Sequence, residues 1–192
     1  MKRMTTRFLM ACAAIGAATG VLLLPANFIS AAIAAAVPLA YAAMLGVWLL
    51  GPVVALAVLR RPGAALLTML IAGIINIPSP AGPTAIVTNL MIGVAMELGF
   101  LVTLYRIWKP WLFHVTALVF ETWYAITAYT FYNIDDMAIA VQGVFFALMA
   151  ASAILFTWLG LLIASRLEAT GVARGIAPGR RPATPPPAPA ES

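Results

Sequence analysis

Leu49-Leu50-Gly51-Pro52-Val53-Val54-Ala55-Leu56-Ala57-Val58-Leu59-Arg60-Arg61-Pro62-Gly63-Ala64-Ala65-Leu66 sets one pair of arginines between two apolar runs. The rest of the chain repeats that arrangement. Lys2/Arg3/Arg7, Arg106/Lys109 and Arg166/Arg174/Arg180/Arg181 are the other basic clusters, and with Arg60/Arg61 they account for all 11 Lys and Arg residues. Basic residues flanking apolar helices mark the cytoplasmic side of a bilayer, so the chain crosses an even number of times between neighbouring clusters. Two crossings per interval predict six transmembrane helices, with both termini in the cytoplasm.

Composition supports a membrane class. Of 192 residues, 64% are hydrophobic and 9% charged, with a mean hydropathy of +1.02. A soluble domain could not cover so much apolar side chain with so few charges. A spanning helix takes about 20 largely apolar residues, so six take roughly 120 plus loops. The net charge of +5 sits at helix ends beside apolar runs, where it sets topology and meets anionic headgroups rather than nucleic acid. The expected protein is an all-α integral membrane protein of the cell membrane, a bacterial inner membrane. Residues 1–171 form its six-helix domain, and a Pro-rich tail, 172–192, is expected to be disordered and cytoplasmic.

The six expected helices are about 5–24, 42–59, 62–77, 84–105, 110–132 and 137–163. Pro62 suits the first position of the third helix. The Ala-rich stretch 25–41, interrupted by Pro25 and Pro38, reads as an outer re-entrant or interfacial segment. Asn133-Ile134-Asp135-Asp136, with two acids and no base, reads as an outer loop. The single cysteine, Cys12, excludes an internal disulfide or a multi-cysteine metal cluster. Only four apolar residues precede it, which is too few for a lipoprotein signal, and a signal cleaved near Pro25-Ala26 would leave five spans.

Two acids fall inside expected helices, Glu97 and Glu121. An unaided charge at mid-bilayer costs about 2.5–3.5 kcal/mol. Each acid is therefore protonated, faces a wet cavity, pairs with a cationic ligand, or is hydrogen-bonded across a helix pair. Helical spacing places Gly93 and Asn89 on the Glu97 stripe, and Tyr124, Tyr129 and Tyr132 beyond Glu121. Asn76 adds an amide at the end of the third helix. These carboxylates, amides and phenols suit a flat cationic or amidine-like ligand, through charge pairing, stacking and cation–π attraction. The expected cavity opens outward between the fourth, fifth and sixth helices and the 25–38 segment. Its expected ligand residues are Glu97, Asn89, Glu121, Tyr124, Tyr129 and Asn76, although aromatic residues near a helix end also serve as interface anchors. His114 reads as an interfacial hydrogen-bonding residue. No metal-ligand spacing, phosphate loop or nucleophile–base arrangement is readable, so no cofactor, metal or catalytic residue is expected.

The first helix carries the small-residue pairs Ala13/Ala17, Ala14/Ala18 and Gly16/Gly20, which let a second helix approach closely, inside the bundle or from another subunit.

Gly46-Val47-Trp48-Leu49-Leu50-Gly51-Pro52 followed by Arg60-Arg61-Pro62-Gly63-Ala64-Ala65-Leu66 resembles the substrate-binding S components of energy-coupling factor (ECF) vitamin transporters. Within them the chain is most similar to the YkoE-like branch linked to thiamine or its hydroxymethylpyrimidine (HMP) precursor. Gly93-Val94-Ala95-Met96-Glu97-Leu98-Gly99-Phe100 and Leu167-Glu168-Ala169-Thr170-Gly171-Val172 resemble that branch too. The resemblance covers roughly residues 38–175. It implies a non-enzymatic vitamin binder that works with a membrane coupling (T) subunit and two cytoplasmic ATPases. It implies further that Ala13, Ala14, Ala17 and Ala18 dock the coupling subunit and that Glu97 faces the ligand. The chain departs from the branch at Asn76, where relatives carry an acid, and around Leu148, where relatives carry a base. The alternatives are a stand-alone secondary carrier for a small cationic solute and an envelope structural protein whose buried acids lock helices together.

Overall fold

The computed structural model describes residues 6–34 and 36–170. Among them are seven α-helices and no strand: α1 (Thr6–Ile33), α2 (Pro38–Met44), α3 (Leu50–Leu59), α4 (Ala64–Ile75), α5 (Thr84–Val102), α6 (Pro110–Phe131) and α7 (Ile139–Ala169). A 3-10 segment, Leu45–Leu49, joins α2 to α3, and a shorter one, Ile134–Asp136, lies between α6 and α7. Four stretches are long and apolar enough to cross a membrane: Thr6–Ile33, Pro38–Leu59, Thr84–Val102 and Ile139–Ala169. α4 has 12 residues, a rise of about 18 Å. α6 is long enough at 22 residues, but Glu121, His114 and four threonines dilute its apolar sequence.

Contacts between distant residues bring the basic clusters to one end of the bundle. The Arg61 guanidinium stands 5.7 Å from the centre of the Phe8 ring, beside the start of α1. Arg60 pairs with Glu168 near the end of α7 at 3.4 Å. Tyr105, in the connection that carries Arg106 and Lys109, donates its hydroxyl to Glu97, which also accepts the Ala65 amide. This base-bearing end therefore gathers the start of α1, the α3–α4 turn, the α5–α6 connection and the end of α7. At the opposite end Asn27 meets Asn76, Tyr41 meets Tyr124 and Tyr129 meets Gln142.

The α3–α4 turn is tight because Arg60 (φ 45°) and Gly63 (φ 82°) both adopt the left-handed conformation, which glycine enters without steric cost. α4 accordingly begins at Ala64, two residues after the expected Pro62. α5 stops at Val102 because Leu104 and Tyr105 are left-handed, and the Tyr105 amide bonds back to Phe100 O at 2.9 Å. Pro110 opens α6 at its first turn, where the missing N–H leaves no intrahelical bond unmade.

The expected break at Pro25 does not occur: Pro25 lies inside α1, which continues to Ile33. Proline removes one backbone donor there, but the flanking Ala-rich sequence favours helix, and neighbouring helices hold such a site in place. The Asn27 side chain adds a bond of its own to Leu23 O at 3.0 Å. Only the short stretch that ends at Val37 separates α1 from α2. The tail 172–192 lies outside the described residues.

α1 packs on α4 through two of its small residues. A methyl group added at Gly16 would lie 2.7 Å from Thr68 O and 2.9 Å from Ile71 Cβ. At Gly20 it would lie 2.8 Å from Ile75 Cβ. The Gly16/Gly20 pair is thus spent inside the bundle, whereas Ala13, Ala14 and Ala18 point outward and Ala17 is half-buried.

Candidate functional site

Glu97, Gly93 and Asn89 do share one face of α5, and that face packs on α4. Glu97 is 5% exposed. Its Oε1 accepts the Ala65 amide at 2.9 Å and its Oε2 accepts the Tyr105 hydroxyl. Ala65 lies in the first turn of α4, where amides have no intrahelical acceptor. The residue capping α4 is Gly63, with no side chain to offer. Glu97 supplies the missing acceptor from α5, at the helix end where negative charge is favoured. Burial, and then the hydrogen bond to Glu97, hold the Tyr105 phenol above its ordinary range, so it remains a donor. Glu97 thus lies towards the base-bearing end, bound to two internal partners, whereas the sequence placed it facing an outward cavity.

Asn76 has a similar internal role. Its amide nitrogen donates to Gly20 O at 3.1 Å and Ala72 O at 2.7 Å, and its Oδ1 accepts from Asn27 at 2.7 Å. It locks the end of α4 to α1. Asn89, 1% exposed, donates to Ala85 O at 2.8 Å, while its Oδ1 has no hydrogen-bond partner among the described residues.

Glu121 has a different environment. It is 2% exposed, on the α6 face that also buries Ala117, Ala125 and Ala128, and its Oε2 has no hydrogen-bond partner among the described residues. A buried carboxylate without a donor is costly in either protonation state. Towards the far end of α6, the Tyr124 hydroxyl meets the Tyr41 hydroxyl of α2 at 2.8 Å. The Tyr41 ring meets the Tyr132 ring edge-on, with centroids 5.1 Å apart. One acid and two phenols, Glu121, Tyr124 and Tyr132, therefore extend along α6, and Tyr41 of α2 adds a third phenol on one side. Tyr129 leans toward α7, donating to Gln142 Oε1 at 2.9 Å and packing on Phe146 at 5.6 Å. Gln142 in turn donates to Met137 O and Asp135 O, fixing the α6–α7 connection.

The six expected ligand residues thus form two groups: Asn76, Asn89 and Glu97 at the α1/α4/α5 contacts, and Glu121, Tyr124 and Tyr129 on α6. No hydrogen bond joins the two groups among the described residues. Sequence reading missed Tyr41, Tyr105, Asn27 and Ser152. Tyr41 follows Pro38 by three residues, and the helix-opening proline was the available signal for it. Ser152 bridges the 3-10 segment: its Oγ accepts the Gly46 amide at 2.8 Å and donates to Ala43 O at 2.9 Å. An isolated serine in an apolar helix carries no signal of that role.

A second feature is an apolar groove between α1, α3 and α7, enclosing about 340 Å³ and lined by Ala14, Ala18, Gly51, Val54 and Ile163 among others. Two of the four expected docking alanines lie in it.

Comparison with known proteins agrees with this architecture. A crystal structure of an S component of an ECF transporter superposes with a TM-score of 0.79 at 22% identity, covering 91% of both chains. A protein of Bacillus subtilis (strain 168), named as the HMP/thiamine permease protein YkoE, is 28% identical over 152 residues, which cover 74% of this chain and 73% of that one. Residues 8–123 match the family described as "ABC-type cobalt transport system, permease component". The chain belongs to that family of transport-system permease components, and it carries the fold of an ECF S component.

Proposed function

We propose that the chain is the substrate-capturing S component of an ECF importer and that it binds thiamine or a hydroxymethylpyrimidine relative. In this reading it crosses the membrane six times with both termini in the cytoplasm, and the base-bearing end faces inward. The organic cation is held by Glu121. Tyr124, Tyr41 and Tyr132 surround it through ring stacking and cation–π attraction, with Tyr129 at the flank. Glu97 and Asn76 hold helices together and leave the ligand to the α6 group.

The observation that carries this reading is the buried Glu121 carboxylate with an unpartnered oxygen beside a tyrosine cluster. A positively charged ring would supply the missing partner. The likeness to the HMP/thiamine permease points to the same ligand class. Carboxylate and phenols fit an organic cation better than a transition metal, which favours imidazole or thiolate ligands. Transport then relies on a membrane coupling subunit, docked through Ala13, Ala14, Ala17 and Ala18, and on two ATPases.

The test is equilibrium binding of thiamine and hydroxymethylpyrimidine to the purified protein, wild type and Glu121→Gln. A single charged pairing contributes about 1.5–3 kcal/mol, so the variant should bind at least about tenfold more weakly. Equal affinity in both proteins would remove Glu121 from the site, and absence of binding to the wild type would end the ligand assignment.

A further inference from the structure

The charges of the described residues are sorted by end. Arg7, Arg60, Arg61, Arg106, Lys109 and Arg166 belong to the elements gathered at the base-bearing end by the Arg61–Phe8, Arg60–Glu168 and Tyr105–Glu97–Ala65 contacts. Near the tyrosine cluster the charged groups are all acidic. Glu121 is buried with a free oxygen, and Asp135 and Asp136 are exposed three and four residues beyond Tyr132. Gln142 donates to the Asp135 backbone carbonyl and accepts from Tyr129, so the segment that carries both aspartates is tied to α6 just beyond the cluster.

We infer that this site selects cations free of phosphate and rejects the phosphate esters of the same molecules. The inference rests on the ligand reading above and adds a selection rule to it. A phosphate monoester brings about 1.5–2 negative charges at neutral pH. It would meet Asp135 and Asp136 just beyond Tyr132 and the Glu121 carboxylate on α6. Among the described residues no Lys or Arg stands at that end to receive it, and the N-terminus of α7 at Ile139, which could otherwise attract an anion, closely follows Asp135 and Asp136. Like charges in a partly dehydrated site repel strongly, because little water screens them. The same three acids favour the unesterified cation. A nutrient present outside as its phosphate ester must first be hydrolysed by a phosphatase, with water cleaving the P–O bond to release the alcohol and inorganic phosphate.

Titration calorimetry of the full chain in lipid nanodiscs, with thiamine and thiamine monophosphate, tests the rule. Thiamine should bind at least about 100-fold more tightly than its monophosphate, equivalent to about 2.7 kcal/mol. The gap should narrow in the Asp135→Asn/Asp136→Asn double variant and in high salt, which screens the exposed pair. Affinities for the two ligands within about threefold would overturn the inference while leaving the cation site standing. A gap unchanged by both the double variant and salt would overturn it as well, because exclusion would then be by shape. If thiamine itself fails to bind, the ligand reading falls and the selection rule falls with it.

Discussion

The hydroxyls of Tyr41 and Tyr124 meet at 2.8 Å and tie the short helix α2 to α6 across 83 residues of chain. Tyr132 also interacts with the Tyr41 phenol, so the bond sits inside a cluster of three phenols. Tyr41→Phe should therefore cost about 0.5–1.5 kcal/mol of stability, the usual net value of one such bond. Thermal unfolding in detergent would register it as a small fall in midpoint. Because Tyr41 also closes the site, cation affinity should fall in the same variant, whereas a purely structural bond would leave affinity unchanged.

The two buried helix acids, Glu97 and Glu121, should behave oppositely. Glu97 accepts from the Ala65 amide and the Tyr105 hydroxyl, and charge-assisted bonds are worth about 1.5–3 kcal/mol each. Glu97→Gln should lower the melting temperature clearly while changing thiamine affinity less than about threefold. A variant that melts normally but loses binding would show that Glu97 belongs to the ligand after all.

Glu121→Gln removes a carboxylate that has an unpartnered oxygen. In the absence of ligand this variant should melt at the wild-type temperature or above it, since a buried acid without a donor is a cost to the fold. The ligand-induced rise in melting temperature, which grows with the logarithm of ligand concentration over Kd, should shrink. Loss of intrinsic stability with an intact ligand response would instead make Glu121 a structural residue.

On α1, neighbouring small residues should separate two effects. Gly16→Ala drives a methyl group to 2.7 Å from Thr68 O, and overpacking of that kind costs about 1–3 kcal/mol. Ala14→Leu instead enlarges an outward side chain in the apolar groove. It should leave thermal stability and thiamine binding intact while abolishing uptake in cells that supply the coupling subunit and ATPases. Normal uptake by Ala14→Leu would remove this face from the docking interface.

Topology can be read by cysteine labelling in a Cys12→Ala background. Arg60→Cys should react with a membrane-impermeant maleimide only after the cells are opened, and Asp135→Cys should react in intact cells. Reversed accessibility would invert the proposed orientation and place the tyrosine cluster on the cytoplasmic side.

Much of this arrangement was legible in the sequence because charge and helical period act locally. The grouping of Arg7, Arg60/Arg61, Arg106/Lys109 and Arg166 followed from their spacing along apolar runs, and the contacts of Arg60 and Arg61 bear it out. The Glu97–Gly93–Asn89 stripe followed from steps of four. What the stripe faces was not legible, since the partner turn at Gly63–Ala65 is more than thirty residues away in sequence. Pro25 misled for a related reason: local propensity marks a break, whereas packing of α1 against α4 holds the helix straight through it. Tyr41 was hidden because its role depends on α6, 83 residues away.

The 3-10 segment Leu45–Leu49 also sets an angle. Winding at 3.0 rather than 3.6 residues per turn over five residues advances the helical phase by about 100°, more than a quarter of a revolution. α2 is thereby rotated about its own axis relative to α3, and side chains on either side of Leu45–Leu49 no longer share one azimuth. An uninterrupted helix from Pro38 to Leu59 would aim Tyr41 elsewhere, so the tighter coil is what points its phenol at α6.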